Sequence, residues 1–300
     1  MSIKIKSETI YRVDHVPGEE IEPDQEFDQK HSYREFDRTG KLLLEIAYTQ
    51  DGEIADKIEY HYDEAGRLQE TLVYGDDVEV LERKEVVWNR DGKVAREITH
   101  YLDGSADTHE YFYDDSGNLT GLQVKDDEEE LELSEKYSYE NEKVIKIERW
   151  NGDNELIFKQ EDEYADENLR KRTIWSSEEE EPFRVVVEFN AAGHRHQELR
   201  YNSRDQLIER NIYEEDEQGR VTRIIEENRQ RKNTTEFSFD DKGNVIHQAE
   251  TDLNGNLNHK VFRIYSPEGA LLQTTVEAVM KPSGNIRAYS LIYRTETYPD

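Results

Sequence analysis

The stretch 58-IEYHYDEAGRLQETLVY-74 reads as two short strands about a turn. Ile58, Tyr60 and Tyr62 share one face before the turn, and Leu68, Glu70 and Leu72 follow it with the same period of two. Gly66 sits where a short hairpin loop needs a positive φ. Tyr62 stands four residues before that glycine, and equivalents recur at Phe36 (FDRTGKL), Trp88 (WNRDGKV), Tyr113 (YDDSGNL), Tyr139 (YENEKV), Tyr164 (YADENL), Phe189 (FNAAGHR), Phe239 (FDDKGNV) and Tyr265 (YSPEGAL). A tenth unit, YEEDEQGRV, carries its aromatic two places early, at Tyr213. Successive aromatics are 24 to 26 residues apart, which marks an array of one supersecondary unit.

A second turn falls halfway along most units, as in YTQDG (48–52), YLDG (101–104), WNGD (150–153), YNSRD (201–205) and LNGN (253–256). Each unit is therefore a pair of strands and a pair of turns. The expected fold is all-β: a long antiparallel β-meander of about 20 strands in ten YD-like repeats of about 25 residues. Accumulated twist is expected to coil such a strip into a spiral or a partly closed shell. Residues 154–172 could be argued as a helix, but their place in the repeat register favours strands. The turns after Tyr139 and Tyr164 lack glycine and are a residue shorter; Asn141 and Asn168 are the expected left-handed residues there. Residues 1–30 are expected to form an N-terminal cap, 31–283 the repeat array, and 284–300 a C-terminal strand and cap.

The motif Y-x-x-x-G-[RKN]-[LV] in these units resembles the YD repeat of Rhs-type proteins, over roughly residues 30–275. The resemblance implies a β-strip that spirals around cargo, and a bacterial setting. No counterpart of that family's self-cleaving core segment or toxin domain follows the last unit, so self-cleavage is not carried over. The resemblance instead implies a stand-alone repeat protein.

Composition limits the partners. With 70 acidic against 39 basic residues the formal net charge is −31, which argues against nucleic acid and anionic membrane and for a basic protein. The same charge would also keep a broad exposed sheet soluble. The chain is 34% hydrophobic with 18 Tyr, 9 Phe and 3 Trp, as expected of folded strands over a thin core. There is no cysteine, hence no disulfide, thiolate ligand or Cys nucleophile. No secretory h-region opens the chain and no apolar run has membrane-spanning length, so a cytoplasmic location is expected.

Motifs of catalysis and phosphate binding are missing, so no enzyme activity and no cofactor is expected. His194 and His196 project from one strand face and would need a third ligand from a neighbour to hold a metal; solvent-facing histidines beside a turn are the alternative, and no metal site is assigned. Segments 151–155 and 252–259 faintly resemble calcium loops but carry the Asn-Gly of hairpin turns. Two acidic runs, Asp126, Asp127, Glu128, Glu129 and Glu130, then Glu178, Glu179, Glu180 and Glu181, fall at half-unit turns and would stack into one acidic rim for a basic partner or hard cations. Solvated loop tips are the plainer alternative. The aromatic rows are read as mainly structural ladders, with stacking on sugars as the functional alternative.

The leading expectation is a non-enzymatic binding protein whose curved acidic sheet holds a macromolecule, as an immunity protein or chaperone for a basic toxin or effector, or as a nucleic-acid mimic. A carbohydrate-binding repeat protein and a self-associating structural scaffold are the alternatives.

Overall fold

A computed structural model describes residues 4–22, 25–75, 78–179, 181–280 and 283–299. They form β-strands and turns with no helix among the described residues. The 22 strands belong to one antiparallel sheet. In chain order the first six are β1 (Ile5–His15), β2 (Lys30–Phe36), β3 (Leu42–Tyr48), β4 (Ile54–Tyr62), β5 (Leu68–Tyr74) and β6 (Val80–Trp88). Next come β7 (Val94–Tyr101), β8 (Ala106–Tyr113), β9 (Leu119–Lys125), β10 (Leu131–Glu140), β11 (Lys143–Asn151), β12 (Leu156–Ala165), β13 (Asn168–Ser176) and β14 (Phe183–Phe189). The last eight are β15 (Arg195–Asn202), β16 (Leu207–Glu215), β17 (Val221–Asn228), β18 (Lys232–Phe239), β19 (Val245–Thr251), β20 (Leu257–Tyr265), β21 (Leu271–Met280) and β22 (Asn285–Thr297). Residues 154–172 form the β12–β13 hairpin, as their repeat register requires.

The chain divides into two compact units, Met1–Glu85 with Glu236–Asp300, and Val86–Thr235. In the first, β1 pairs with β2 on one side and with β22 on the other, while β22 pairs with β21. The first and last strands thus leave no terminal edge, and the meander closes on itself. This corrects the expected spiral or partly closed shell: the strand order is the closed connectivity of a barrel. Residues 5–15 and 285–297 supply the strands beyond the ten repeats, and the segment between β1 and β2 lies against the seam they make. Phe27 meets Tyr11 at 6.0 Å between ring centroids, and the Arg294 guanidinium stacks on both rings.

The turns show why the repeat has its sequence. At the first-quoted hairpin, Asp63 N–H donates to Arg67 O at 2.9 Å and Gly66 N–H donates to Asp63 O at 2.8 Å. Asp63 Oδ1 accepts the Arg67 N–H at 2.8 Å, so one side chain satisfies a loop donor that the strands cannot reach. Gly66, at φ +78°, is the left-handed residue that closes a type I turn, and the extra residue appears as a bulge beside Tyr62. The same Asp or Asn oxygen organises the turns at Asp37, Asn89, Asp114, Asn190, Asp216 and Asp240. Two turns differ, as their sequences require. Asn141 and Glu142 both take positive φ, 50° and 65°, giving a two-residue loop of type I′. After Tyr164 the left-handed residue is Asp166 (φ 54°); Asn168, expected to fill that place, instead opens β13 and donates from Nδ2 to Ala191 O at 3.1 Å.

The core is thin. Among the described residues the buried apolar side chains are Val86, Val185, Val186, Val187 and Ile225 in one unit and Val261, Ala288 and Ile292 in the other. Polar groups share the buried positions, among them Gln160, Asp162 and Ser290.

Candidate functional site

Strands β9 to β14 pair consecutively in one unit, so the loops β9–β10, β11–β12 and β13–β14 emerge at the same strand ends. Both acidic runs lie there. In the first loop Asp126 turns inward: its Oδ1 accepts the N–H groups of Glu128 and Glu130 at 3.0 and 2.8 Å. Glu129 occupies the left-handed position (φ 63°) that glycine fills in most other turns, which costs backbone energy. Asp127, Glu128, Glu129 and Glu130 are exposed. Lys125, at the foot of the loop, pairs with Glu110 at 2.9 Å; that bond, followed by the fields of Glu110 and Glu129, holds the ammonium pKa up.

The middle loop is close behind. A methyl at Gly152 would stand 2.5 Å from Leu131 O, so the β11–β12 turn packs directly on the start of β10. Asn151 Oδ1 accepts Glu155 N–H at 2.8 Å, leaving Asp153 and Glu155 exposed. Neither this loop nor its acidic neighbours contain Lys or Arg.

The third loop is partly neutralised from the strands. Arg149 on β11 reaches Glu135 at 2.5 Å and Glu178 at 2.8 Å, and Arg200 on β15 reaches Glu179 at 2.6 Å. Glu181 is exposed, and Glu180 lies outside the described residues. The topology therefore brings the two runs to one end, with unequal charge: the first keeps four of its five carboxylates open to solvent while the second spends two on arginines.

The aromatic rows are engaged within the fold. The hydroxyls of Tyr62, Tyr113, Tyr139, Tyr164 and Tyr265 donate to the carbonyls of Leu42, Val94, Leu119, Val144 and Val245, at 2.7 to 3.2 Å. Each ties a unit to the first or second residue of a strand in the unit before. Lysines of the preceding turns lie over three of these rings, Lys41 on Tyr62, Lys93 on Tyr113 and Lys143 on Tyr164, at 5.1 to 5.2 Å. Phe36, Trp88, Phe189 and Phe239 occupy the matching strand ends, and Glu215 takes that place where the aromatic comes early at Tyr213.

The sequence reading missed a second row two residues upstream. Tyr60 donates to Glu45 at 2.6 Å and Tyr111 to Glu97 at 2.9 Å, and Tyr137 bonds Glu135. Burial and then the Glu45 bond push the Tyr60 hydroxyl up to about 12, so it stays a donor at neutral pH. The recurrence of Tyr at this position in YHY, YFY and YSY was the available signal.

His194 pairs with Glu215 at 3.1 Å, and His196 is exposed on β15; no group of three His, Cys, Asp or Glu poised for a metal occurs among the described residues. In the loop at 252–256 the Asp252 oxygens are spent on Asn254 N–H, Asn256 N–H and Asn256 Nδ2, which makes it a turn.

No protein-family model matches the chain, and no curated protein matches it. Among solved structures it is similar to TcdB2-TccC3-Cdc42, at 15% identity and TM-score 0.33 over 86% of this chain, and to TcdB2-TccC3, at 15% identity and TM-score 0.33 over 90%. The matched region is 16% of each of those chains. A porin-like protein from Bacteroides uniformis aligns over 97% of this chain and 96% of its own, at 11% identity and TM-score 0.32.

Proposed function

We propose that this chain is a non-enzymatic binding protein that holds a basic protein on the acidic strand ends of its Val86–Thr235 unit. The supporting observation is the convergence of three consecutive loops, 126–130, 152–155 and 177–182, which carry no cation of their own. The carboxylates of the first two sit on hairpins fixed by Asx bonds, and the Ser176 hydroxyl accepts the Glu178 N–H in the third, so a partner would meet a preset charge pattern. The open first run is the main contact, with Glu178 and Glu179 in reserve behind Arg149 and Arg200. An immunity or chaperone role toward a basic toxin or effector, in a bacterial cytoplasm, belongs to this reading.

The test is retention of basic proteins by the purified chain at low and high salt, beside a variant with Asp127, Glu128, Glu129 and Glu130 all changed to Gln. The expected result is a partner held at low salt, released at high salt and lost by the variant. Equal retention by variant and parent would reject the site, and no retained basic protein at low salt would reject the function.

A further inference from the structure

The Met1–Glu85 and Glu236–Asp300 unit contains a cleft of about 490 Å³ that the acidic strand ends do not involve. It lies where β1, β21 and β22 run side by side, with Gln50 of the β3–β4 turn at its margin. Its apolar wall is Ala278, Met280 and Tyr289, which the β21–β22 register places on one face with Arg287. Met280 is 38% exposed, more than large apolar side chains on this sheet generally are. The polar side is cationic. The Arg12 guanidinium stacks 4.2 Å above the Tyr289 ring centroid and is held by Asp14 through Nη2 at 3.0 Å. Its Nε is sealed from solvent and finds no acceptor. Arg287 also lines the cleft, exposed and with no acidic partner among the described residues.

Two guanidiniums therefore face one carboxylate, in a chain whose net charge is −31. On other strands Arg83, Arg149 and Arg172 are each met by Glu or Asp, while Arg210, Arg223 and Arg263, like Arg12, each keep one buried N–H without an acceptor. An exposed arginine without an acidic partner, beside a second guanidinium and an exposed apolar wall, is an arrangement that an acceptor from outside the chain can complete. We infer that this cleft binds a small organic acid, its carboxylate set between Arg12 and Arg287 and its apolar body against Met280 and Tyr289. Stacking on Tyr289 and the Asp14 bond fix Arg12 before the ligand arrives, so little ordering remains for binding to offset. His15 is not the anion's partner: its two ring nitrogens are taken by Ser290 Oγ and Val16 O, each at 3.0 Å.

Phenylacetate is the probe, with 2-phenylethanol as its neutral counterpart and phenethylamine as its charge-reversed one, each titrated calorimetrically into the full chain. Phenylacetate is expected to bind with millimolar or tighter affinity, and the alcohol and amine at least about tenfold more weakly. Arg287→Ala, at an exposed position, is expected to weaken phenylacetate about tenfold while leaving the melting temperature unchanged. Met280→Gln, which puts an uncharged amide on the apolar wall, is expected to weaken it as well. Absence of phenylacetate binding, equal binding of the amine, or full affinity in Arg287→Ala would overturn the assignment. None of these outcomes bears on the acidic strand ends, whose test uses a different unit and a different ligand.

Discussion

At the residue scale, the most repeated device is a single side-chain oxygen. The aspartates at 37, 63, 114, 216 and 240 hold their carboxyls below the usual value of 3.8. The first cause is the Thr39 hydroxyl for Asp37, the backbone N–H of Arg67 and Arg220 for Asp63 and Asp216, and the amides of Asn118 and Asn244 for Asp114 and Asp240. A folded-state pKa below the unfolded one contributes stability that is complete above pH 3.8 and lost as pH falls through the lower folded values. Asn89 and Asn190 make the same turns without a titrating group. Changing all five aspartates to Asn is therefore expected to lower the melting temperature at neutral pH, where the carboxylates contribute fully, and to flatten its decline in acid. Thermal melts along a pH series check this, and an acid decline as steep as the parent's would reject it. The turn glycine was legible in the sequence because left-handed backbone demands it. The Asp or Asn directly after six of the ten aromatics was also visible, but its meaning depends on which N–H groups the loop leaves unpaired, and only the folded turn shows that.

At the element scale, hairpin register decides which charges meet. Asp162 on β12 stands opposite Arg172 on β13 and accepts two bonds from it, at 2.8 and 2.7 Å, with only 1% of the Asp162 side chain exposed. The pairing depends on the two-residue loop at 166–167, since a one-residue slip would send Arg172 to the other face. The sequence shows an acidic run and a basic run, EDEYADENLRKR, and not which members face each other. Arg172→Met keeps the bulk and strands the buried carboxylate, with an expected cost of about 3–5 kcal/mol in urea unfolding. Arg172→Lys retains charge but loses the fork, and is expected to fall between parent and Met variant. A loss under about 1 kcal/mol for the Met variant would show that Asp162 finds another partner. Register also governs the acidic site: Glu178 and Glu179 belong to a uniform run in the sequence, yet Arg149 and Arg200 reach them only because β11 and β15 present those residues at the right strand ends.

At the scale of the whole chain, the repeats make the strip and the non-repeated ends close it. The ten units were legible because each carries the same turn and aromatic. The role of β1 was not, because IKSETIYRVDH has no turn in register and its partner, β22, lies at the other end of the sequence. Closure also extends the tyrosine row: Tyr298 donates to Phe36 O at 2.7 Å, as Tyr62 does to Leu42 O, and Arg38 lies over its ring. Ending the chain at Gly284 removes β22, leaving β1 and β21 each with an unpaired backbone edge. Such edges recruit further strands, so the truncated chain is expected to self-associate with rising concentration while retaining β-type circular dichroism. Tyr298→Phe serves as the control, since it removes one hydroxyl bond and leaves every strand pair in place. It is expected to cost about 1 kcal/mol and to change no oligomeric state. Light scattering over a concentration series distinguishes the two. A truncated chain that matches the parent in mass and melting temperature would show that the β1–β22 pairing is dispensable, and that the ten repeats hold their edges apart by the same negative charge that keeps the sheet in solution.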